Sequence, residues 1–253
     1  KRIRLLLDQG YRPGKIVVLD DEALAELMGR QVVLSRTINS QTSSPEVVET
    51  ILGYIETHNV TALRSALQHA LMRQGLAPFV MQLVAPLTTA VGTAWAQGRF
   101  DVFEEHLYTE VITNVLRSNM AQQTMDASLH APRVLLTTMP QELHGLGLLM
   151  VQALLVMEGC ECISLGTQTP ASDIVRAAAA HQVDIVALSF TNLHKASSVQ
   201  NSLRDLRTAL PVATEIWVGG ACASLYHKPL KGITPQQSLQ GIPELVAQWR
   251  QAQ

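Results

Sequence analysis

Apolar residues recur along the first half of the chain at the spacing of helices buried on one side. Val48, Ile51, Leu52 and Ile55 form an i, i+3, i+4, i+7 stripe, with Pro45 near its start. A second helical segment covers about 61–73 and stops before Gly75. A third carries Val80, Leu83, Val84, Leu87, Val91 and Trp95 on one face and ends near Gly98. The fourth opens at Asp101, an acidic start suited to the positive end of a helix dipole, and continues past Leu107, Val111 and Val115. Four consecutive amphipathic helices with short connections predict an antiparallel four-helix bundle over 45–130.

From residue 131 the pattern changes. Near-continuous apolar runs at 133–139, 160–165, 184–189 and 215–218 read as strands covered on both faces. Helix-period segments at 146–157, 171–181 and 196–210 supply the crossovers that parallel strands need. The expectation is a Rossmann-like (flavodoxin-like) parallel-sheet domain over 131–253. Residues 234–253 read as a closing helix or two, with Leu245 and Trp249 at i, i+4. Ahead of the bundle, 1–36 reads as two short helices around a turn-rich segment. Residues 37–44 are polar, small and without period, which marks a linker. The fold class is therefore multidomain α and α/β.

Composition narrows the possibilities. A chain of 253 residues has room for two or three domains with their own cores. With 47% hydrophobic and 16% charged residues and a formal net charge of -2, it lacks a whole-chain electrostatic footprint for nucleic acid. Any DNA contact must be local. Three cysteines, an odd number, with Cys160 and Cys162 in one strand-like run, point to reduced thiols and fit a reducing cytoplasm. The most apolar windows, 76–95 and 146–157, are interrupted by Gln and Pro or too short to cross a bilayer, so no membrane partner is expected. No signal peptide precedes Lys1-Arg2-Ile3-Arg4, and the chain reads as starting in mid-element.

The chemistry gathers at Glu142-Leu143-His144-Gly145-Leu146-Gly147, between the first predicted strand and its helix. That position puts His144 on a loop at the carboxyl edge of the sheet, where open α/β sheets bind ligands. An imidazole two residues after a carboxylate and three before a glycine has the parts of a metal ligand with an outer acceptor and a close backbone approach. A loop histidine alone is more often a solvated residue or a cap. Ser189 lies 45 residues later at the end of the third strand, and Gly219-Gly220 lies 30 beyond that, ending the fourth. Three loops of one edge thus carry His, Ser and Gly-Gly.

This arrangement resembles the cobalamin-binding domain of methionine synthase, corrinoid methyltransferase carriers and related sensors. Their pattern is acid-x-His-x-x-Gly, then Ser-x-Leu, then Gly-Gly, and the likeness covers about 131–253. It implies that His144 ligates the cobalt of cobalamin from below, while Glu142 accepts its other ring N–H. Ser189 and Thr191 would bond the displaced nucleotide tail, with Gly147, Gly219 and Gly220 leaving room for the cofactor. Two departures show: Glu142 stands where many members have Asp, and Thr191 stands where the pattern has Leu.

Trp95 is followed after nine residues by Glu105-His106. On periodicity alone Trp95 fills the core and the acidic-His pair is a solvated first turn. The Trp-x9-Glu-His pattern, however, resembles the helical cap of light-responsive, cobalamin-dependent MerR-type repressors, the CarH and LitR group. Residues 2–16, followed by Asp20-Asp21-Glu22-Ala23-Leu24, look like the closing part of a MerR-type winged-helix DNA-binding domain. The resemblance implies a non-enzymatic, cytoplasmic transcription regulator that binds adenosylcobalamin, DNA and copies of itself, and responds to light. Trp95, Glu105 and His106 would cover the upper face of the corrin and the adenosyl group.

Several light-sensing members have a histidine directly after the tryptophan to capture cobalt once the adenosyl group leaves. Here that position is Ala96, with His106 as a substitute. Corrinoid carriers of methyltransferase systems share a helical bundle followed by this α/β domain and form the alternative reading. The winged-helix remnant and the Trp-x9-Glu-His pattern favour the regulator over the carrier.

Overall fold

The computed structural model describes residues 45–121, 132–192 and 195–252. The winged-helix remnant expected at 1–36 and the linker at 37–44 lie outside the described residues. The chain divides into two compact units, 1–112 and 113–253, with the division falling within the fourth helix.

The helical unit has the four helices its pattern predicts: α1 (Pro45–Glu56), α2 (Val60–Gln74), α3 (Leu76–Ala96) and α4 (Val102–Met120). Ile51, Leu52 and Ile55 of α1 are buried, as their stripe requires. Asn59 caps α2 by accepting the Ala62 N–H at 3.0 Å, and Gly75, at φ 76°, ends it in a backbone conformation that favours glycine. α4 opens with half a capping box, in which Glu104 Oε2 accepts the Asp101 N–H at 2.7 Å.

α3 departs from the plain α-helix expected of its stripe. Residues Phe79–Val84 widen into a π-helical stretch that ends with the Ala85 N–H on the Val80 carbonyl. Pro86 has no N–H to return to the carbonyl four residues back, so the α-ladder is interrupted there in any case. A second correction concerns length. The Gln and Pro interruptions in 76–95 argue against a bilayer span, yet α3 is long and apolar enough for one by length and composition alone, at a mean hydropathy of 1.4. Its apolar face is occupied within the unit: Phe79, Val80, Leu83, Val84, Leu87 and Val91 are at most 1% exposed. This is the burial of a bundle's core helix.

The second unit is built on a five-stranded sheet: β1 (Arg133–Thr137), β2 (Glu161–Gly166), β3 (Ile185–Ser189), β4 (Glu215–Gly219) and β5 (Thr234–Gln236). The strand order is β2-β1-β3-β4-β5 and every pairing is parallel. Alternation sorts the side chains by face. Leu135, Val186, Leu188, Ile216 and Val218 join one core with residues of α6 (Ala171–Ala180), α7 (Ala196–Ala209) and the short α8 (Ser224–His227). α5 (Leu146–Met157) packs on β1, β2 and β3, and α9 (Ile242–Gln251) packs on α5. With helices on the sheet in this way, the strands can read as continuous apolar runs.

One expectation for this unit fails. Residues 234–236 are not the start of a closing helix but the edge strand β5, parallel to β4, and only 242–251 form the helix. Three residues are too few to show alternation, and Pro235 is tolerated because a sheet edge does not need its missing N–H. The order 2-1-3-4-5 sets the switch point between β1 and β3, where successive connections leave in opposite directions and open a crevice at the carboxyl ends.

Leu135 is fully buried in β1. Leu135→Ala is expected to destabilise the α/β unit by about 2–5 kcal/mol, read as a lower urea midpoint with an unchanged slope. A shift within about 0.5 kcal/mol would be the behaviour of a surface position and would contradict this packing.

Candidate functional site

The loop between β1 and α5 emerges at the switch point and carries the Glu142–His144 pair. Its shape is fixed from inside. Thr138, fully buried, donates its hydroxyl to the Glu142 carbonyl at 2.7 Å and accepts the Gln168 N–H at 2.8 Å, while its carbonyl accepts the Thr169 N–H at 3.0 Å. Thr137 ties the same loops together through the Gly166 carbonyl at 3.0 Å and the Thr169 hydroxyl at 2.7 Å. The β1–β2 register shifts between Leu136 and Thr137, where this bonding begins. Neither threonine was singled out from sequence. Buried hydroxyls just beyond an apolar strand were the available sign, since they need partners.

Glu142 is 1% exposed, whereas His144 is 56% exposed. One carboxylate oxygen, Oε1, accepts the His144 backbone N–H at 3.0 Å and the Nδ1 hydrogen bond at 2.8 Å. The other, Oε2, accepts the Thr191 N–H at 2.7 Å and the Thr191 hydroxyl at 2.6 Å. Burial works to raise the acid's pKa, but the bonds from His144 and Thr191 outweigh it and bring the carboxyl down to about 2. The group is ionised at neutral pH and can only accept. Nδ1 of His144 therefore carries the proton, and in the neutral ring Nε2 is the nitrogen with the lone pair.

Register assembles the remaining predicted residues of this edge. Ser189 and Gly219 face each other as Cα partners at the ends of β3 and β4. Gly147 lies in the first turn of α5, where an added Cβ would stand 3.5 Å from the Ser189 hydroxyl oxygen. Gly220 is the constrained glycine. It has φ 106°, and a Cβ there would fall 2.2 Å from the Phe190 carbonyl oxygen, so the loops after β3 and β4 can approach only without a side chain at 220. Thr191, expected at the nucleotide tail, gives both its donors to Glu142.

In the helical unit, Trp95 is half-buried in the last turn of α3 and does not belong to the closed core. Ala96 beside it is buried at 7% exposure. Glu105 and His106 are brought together, with His106 Nε2 3.6 Å from Glu105 Oε2, and the Thr109 hydroxyl bonds Glu105 at 2.9 Å. Glu104 is the more deeply placed carboxylate. It pairs with His58 Nε2 at 3.0 Å, and the His58 ring lies 5.3 Å from that of exposed Phe103. The Asp-x-x-Glu spacing at 101–104 was the legible sign for Glu104.

What the donor set can hold follows from its number. Among the described residues no group of three or more His, Cys, Asp or Glu could hold a metal ion by itself. A single exposed imidazole with a fixed tautomer suits a metal whose in-plane positions are already filled by a macrocycle, as axial histidines do. The residues present therefore fit a corrin-bound cobalt. The thiols do not contribute: burial pushes Cys160 and Cys162 up to about 12, leaving both protonated.

Comparison with known proteins agrees with this geometry. Residues 132–233 match the B12 binding domain, and residues 47–118 match a second B12 binding domain family. The class is that of proteins pairing a helical with an α/β B12-binding domain. The chain is 28% identical over 227 residues to the HTH-type transcriptional repressor CarH of Myxococcus xanthus, covering 88% of this chain and 74% of that protein. It is 31% identical over 154 residues to the HTH-type transcriptional repressor CarA of the same organism, covering 60% of this chain and 52% of that protein. The chain thus carries matches to two B12 binding domain families and is similar to these two repressors. Its fold is shared with the monomethylamine corrinoid protein of Methanosarcina barkeri, at a TM-score of 0.60 and 17% identity, over 82% of this chain and 100% of that one.

Thr138→Val keeps the shape of the side chain but leaves the Gln168 N–H and the Glu142 carbonyl without their present partner. The expected cost is about 1–3 kcal/mol, with faster hydrogen exchange at the Gln168 amide. Unchanged exchange there would show that Thr138 does not hold the loop.

Proposed function

We propose that this chain is the effector region of a transcription regulator that binds adenosylcobalamin and answers to light, changing its self-association and thereby its hold on DNA. The observation that carries the reading is the His144 imidazole, oriented by the buried Glu142 carboxylate on the switch-point loop. Similarity to the CarH and CarA repressors supports the regulatory part. DNA contact is assigned to residues 1–36, whose sequence resembles the closing part of a MerR-type DNA-binding domain.

In this reading His144 would hold the cobalt from below through Nε2, with Glu142 retaining the proton on Nδ1. Ser189, Gly147, Gly219 and Gly220 would form the channel edge for the nucleotide tail. Trp95, Glu105 and His106 would be the helical unit's cofactor contacts: a flat indole suits an apolar ring face, and a carboxylate accepts ribose hydroxyls. When bound, the cofactor supplies a cobalt–carbon bond that light breaks. Ala96 offers no ligand at that moment, and among His58, His69 and His106 of the helical unit the Trp-x9-Glu-His pattern singles out His106 as the substitute. The regulator performs no turnover. A corrinoid carrier of a methyltransferase system shares the fold, and fold alone does not separate the two.

His144→Ala is expected to abolish the histidine-ligated corrinoid spectrum of the loaded protein; an unchanged spectrum and affinity would contradict the ligand assignment. The solution mass of protein loaded with adenosylcobalamin in darkness is expected to change after green light. A mass unaffected by illumination, together with methyl transfer from a partner methyltransferase, would instead support the carrier.

A further inference from the structure

The turn at Gly219-Gly220 is held from two sides. On the β3 side, the Phe190 N–H donates to the Gly219 carbonyl at 2.9 Å, and the Phe190 carbonyl accepts the Cys222 N–H at 3.3 Å. On the β5 side stands Tyr226 of α8, which belongs to none of the motifs. Its hydroxyl donates to the Gly220 carbonyl at 2.7 Å, with the Gln236 carbonyl of β5 3.4 Å away. We infer that Tyr226 is a positioning residue for the nucleotide tail: by tethering the Gly220 carbonyl it fixes the wall that the turn after β4 presents to the tail, and so favours corrinoids that carry one. The tail's place beside that turn rests on the cobalamin reading above, while the tether itself does not.

Three observations support a tether over an incidental contact. The tyrosine is itself anchored. A helix of four residues closes too few bonds to hold its own place, yet Leu225 is 2% exposed in the sheet's core, and Gln200 of α7, 8% exposed, donates its side-chain amide to the Ser224 carbonyl at 3.0 Å and the Lys228 carbonyl at 3.1 Å. These two carbonyls flank Tyr226, so a buried amide fixes where the hydroxyl arrives. Next, burial pushes the Tyr226 hydroxyl up to about 12; it keeps its one hydrogen at neutral pH and gives it to the nearer carbonyl. Finally, Gln236 pairs with Gly219 across β4 and β5, and its carbonyl would stand 3.0 Å from a Cβ at 219. The hydroxyl therefore sits where the ends of the two strands meet, at the glycine pair.

Tyr226→Phe keeps the ring and removes only the hydroxyl. The first readout needs no cofactor: the alkylation rate of Cys222, which lies just past Gly220 at 4% exposure and reacts when the turn opens. Cys160, at 0% exposure ahead of β2, serves as the control in the same protein. The variant is expected to react several-fold faster at Cys222 and at the wild-type rate at Cys160.

The second readout is affinity in darkness for adenosylcobalamin and for adenosylcobinamide, the same corrin without its nucleotide. Tyr226→Phe is expected to weaken the first by about three- to tenfold, the worth of one neutral hydrogen bond, and to leave the second unchanged. A folded variant with wild-type Cys222 reactivity would overturn the inference, because the hydroxyl would then not hold the turn. An equal loss for both corrinoids, or none for the tailed one, would overturn it as well, as would wild type that binds the two equally. Should the phenylalanine variant not fold, Gln200→Leu frees α8 from beneath and is judged by the same two measurements. Failure of wild type to bind either corrinoid would count against the cobalamin reading alone, and Cys222 would still decide the tether.

Discussion

The hydrogen bond from Nδ1 of His144 to Oε1 of Glu142 is the contact on which the rest depends. It joins an exposed ring to a buried charge, and each needs the other. A carboxylate at 1% exposure is tolerable only because its oxygens are filled by N–H and O–H donors, and the ring has a defined tautomer only because that carboxylate can do nothing but accept. The threonines at 137 and 138 serve the same end from beneath, holding the β1 loop against the loop after β2.

Sheet topology explains why this chemistry sits where it does. With strand order β2-β1-β3-β4-β5, the loops after β1 and β3 leave in opposite directions, so a crevice between them requires no special sequence. Parallel register then places Ser189 beside Gly219, and the missing side chain at Gly220 lets the β4 loop close on Phe190. The helical unit contributes in a different manner. Its α3 core stripe is sealed, with Trp95 half-buried in the last turn of that helix and His106 exposed on α4.

Much of this was legible in the sequence, for reasons that differ by residue. The helices and four of the strands announced themselves because burial on one face or both imposes a period. The His144 loop was legible because an acid, an imidazole and a glycine at short spacing on a strand end are local features. β5 was not, being three residues long with a proline at a tolerant edge, and the π-helical stretch at Phe79–Val84 left the apolar stripe intact. The contact of Thr191 with Glu142 spans 49 residues and depends on the approach of two loops, which no local pattern encodes. Glu104 lay hidden beside the more conspicuous Glu105-His106 pair, although its burial and its bond to His58 make it the anchored carboxylate of that turn.

The central claim is a nitrogen–cobalt bond made by one side chain, and electron paramagnetic resonance reads that bond directly. Protein grown with histidine carrying the heavy nitrogen isotope in its ring would be loaded with cobalamin and reduced to the paramagnetic cobalt(II) state. The account predicts that the nitrogen superhyperfine pattern on the cobalt lines changes from a triplet in unlabelled protein to a doublet in labelled protein. A triplet that persists after labelling would mean that cobalt keeps the cofactor's own base, and would contradict His144 as its ligand.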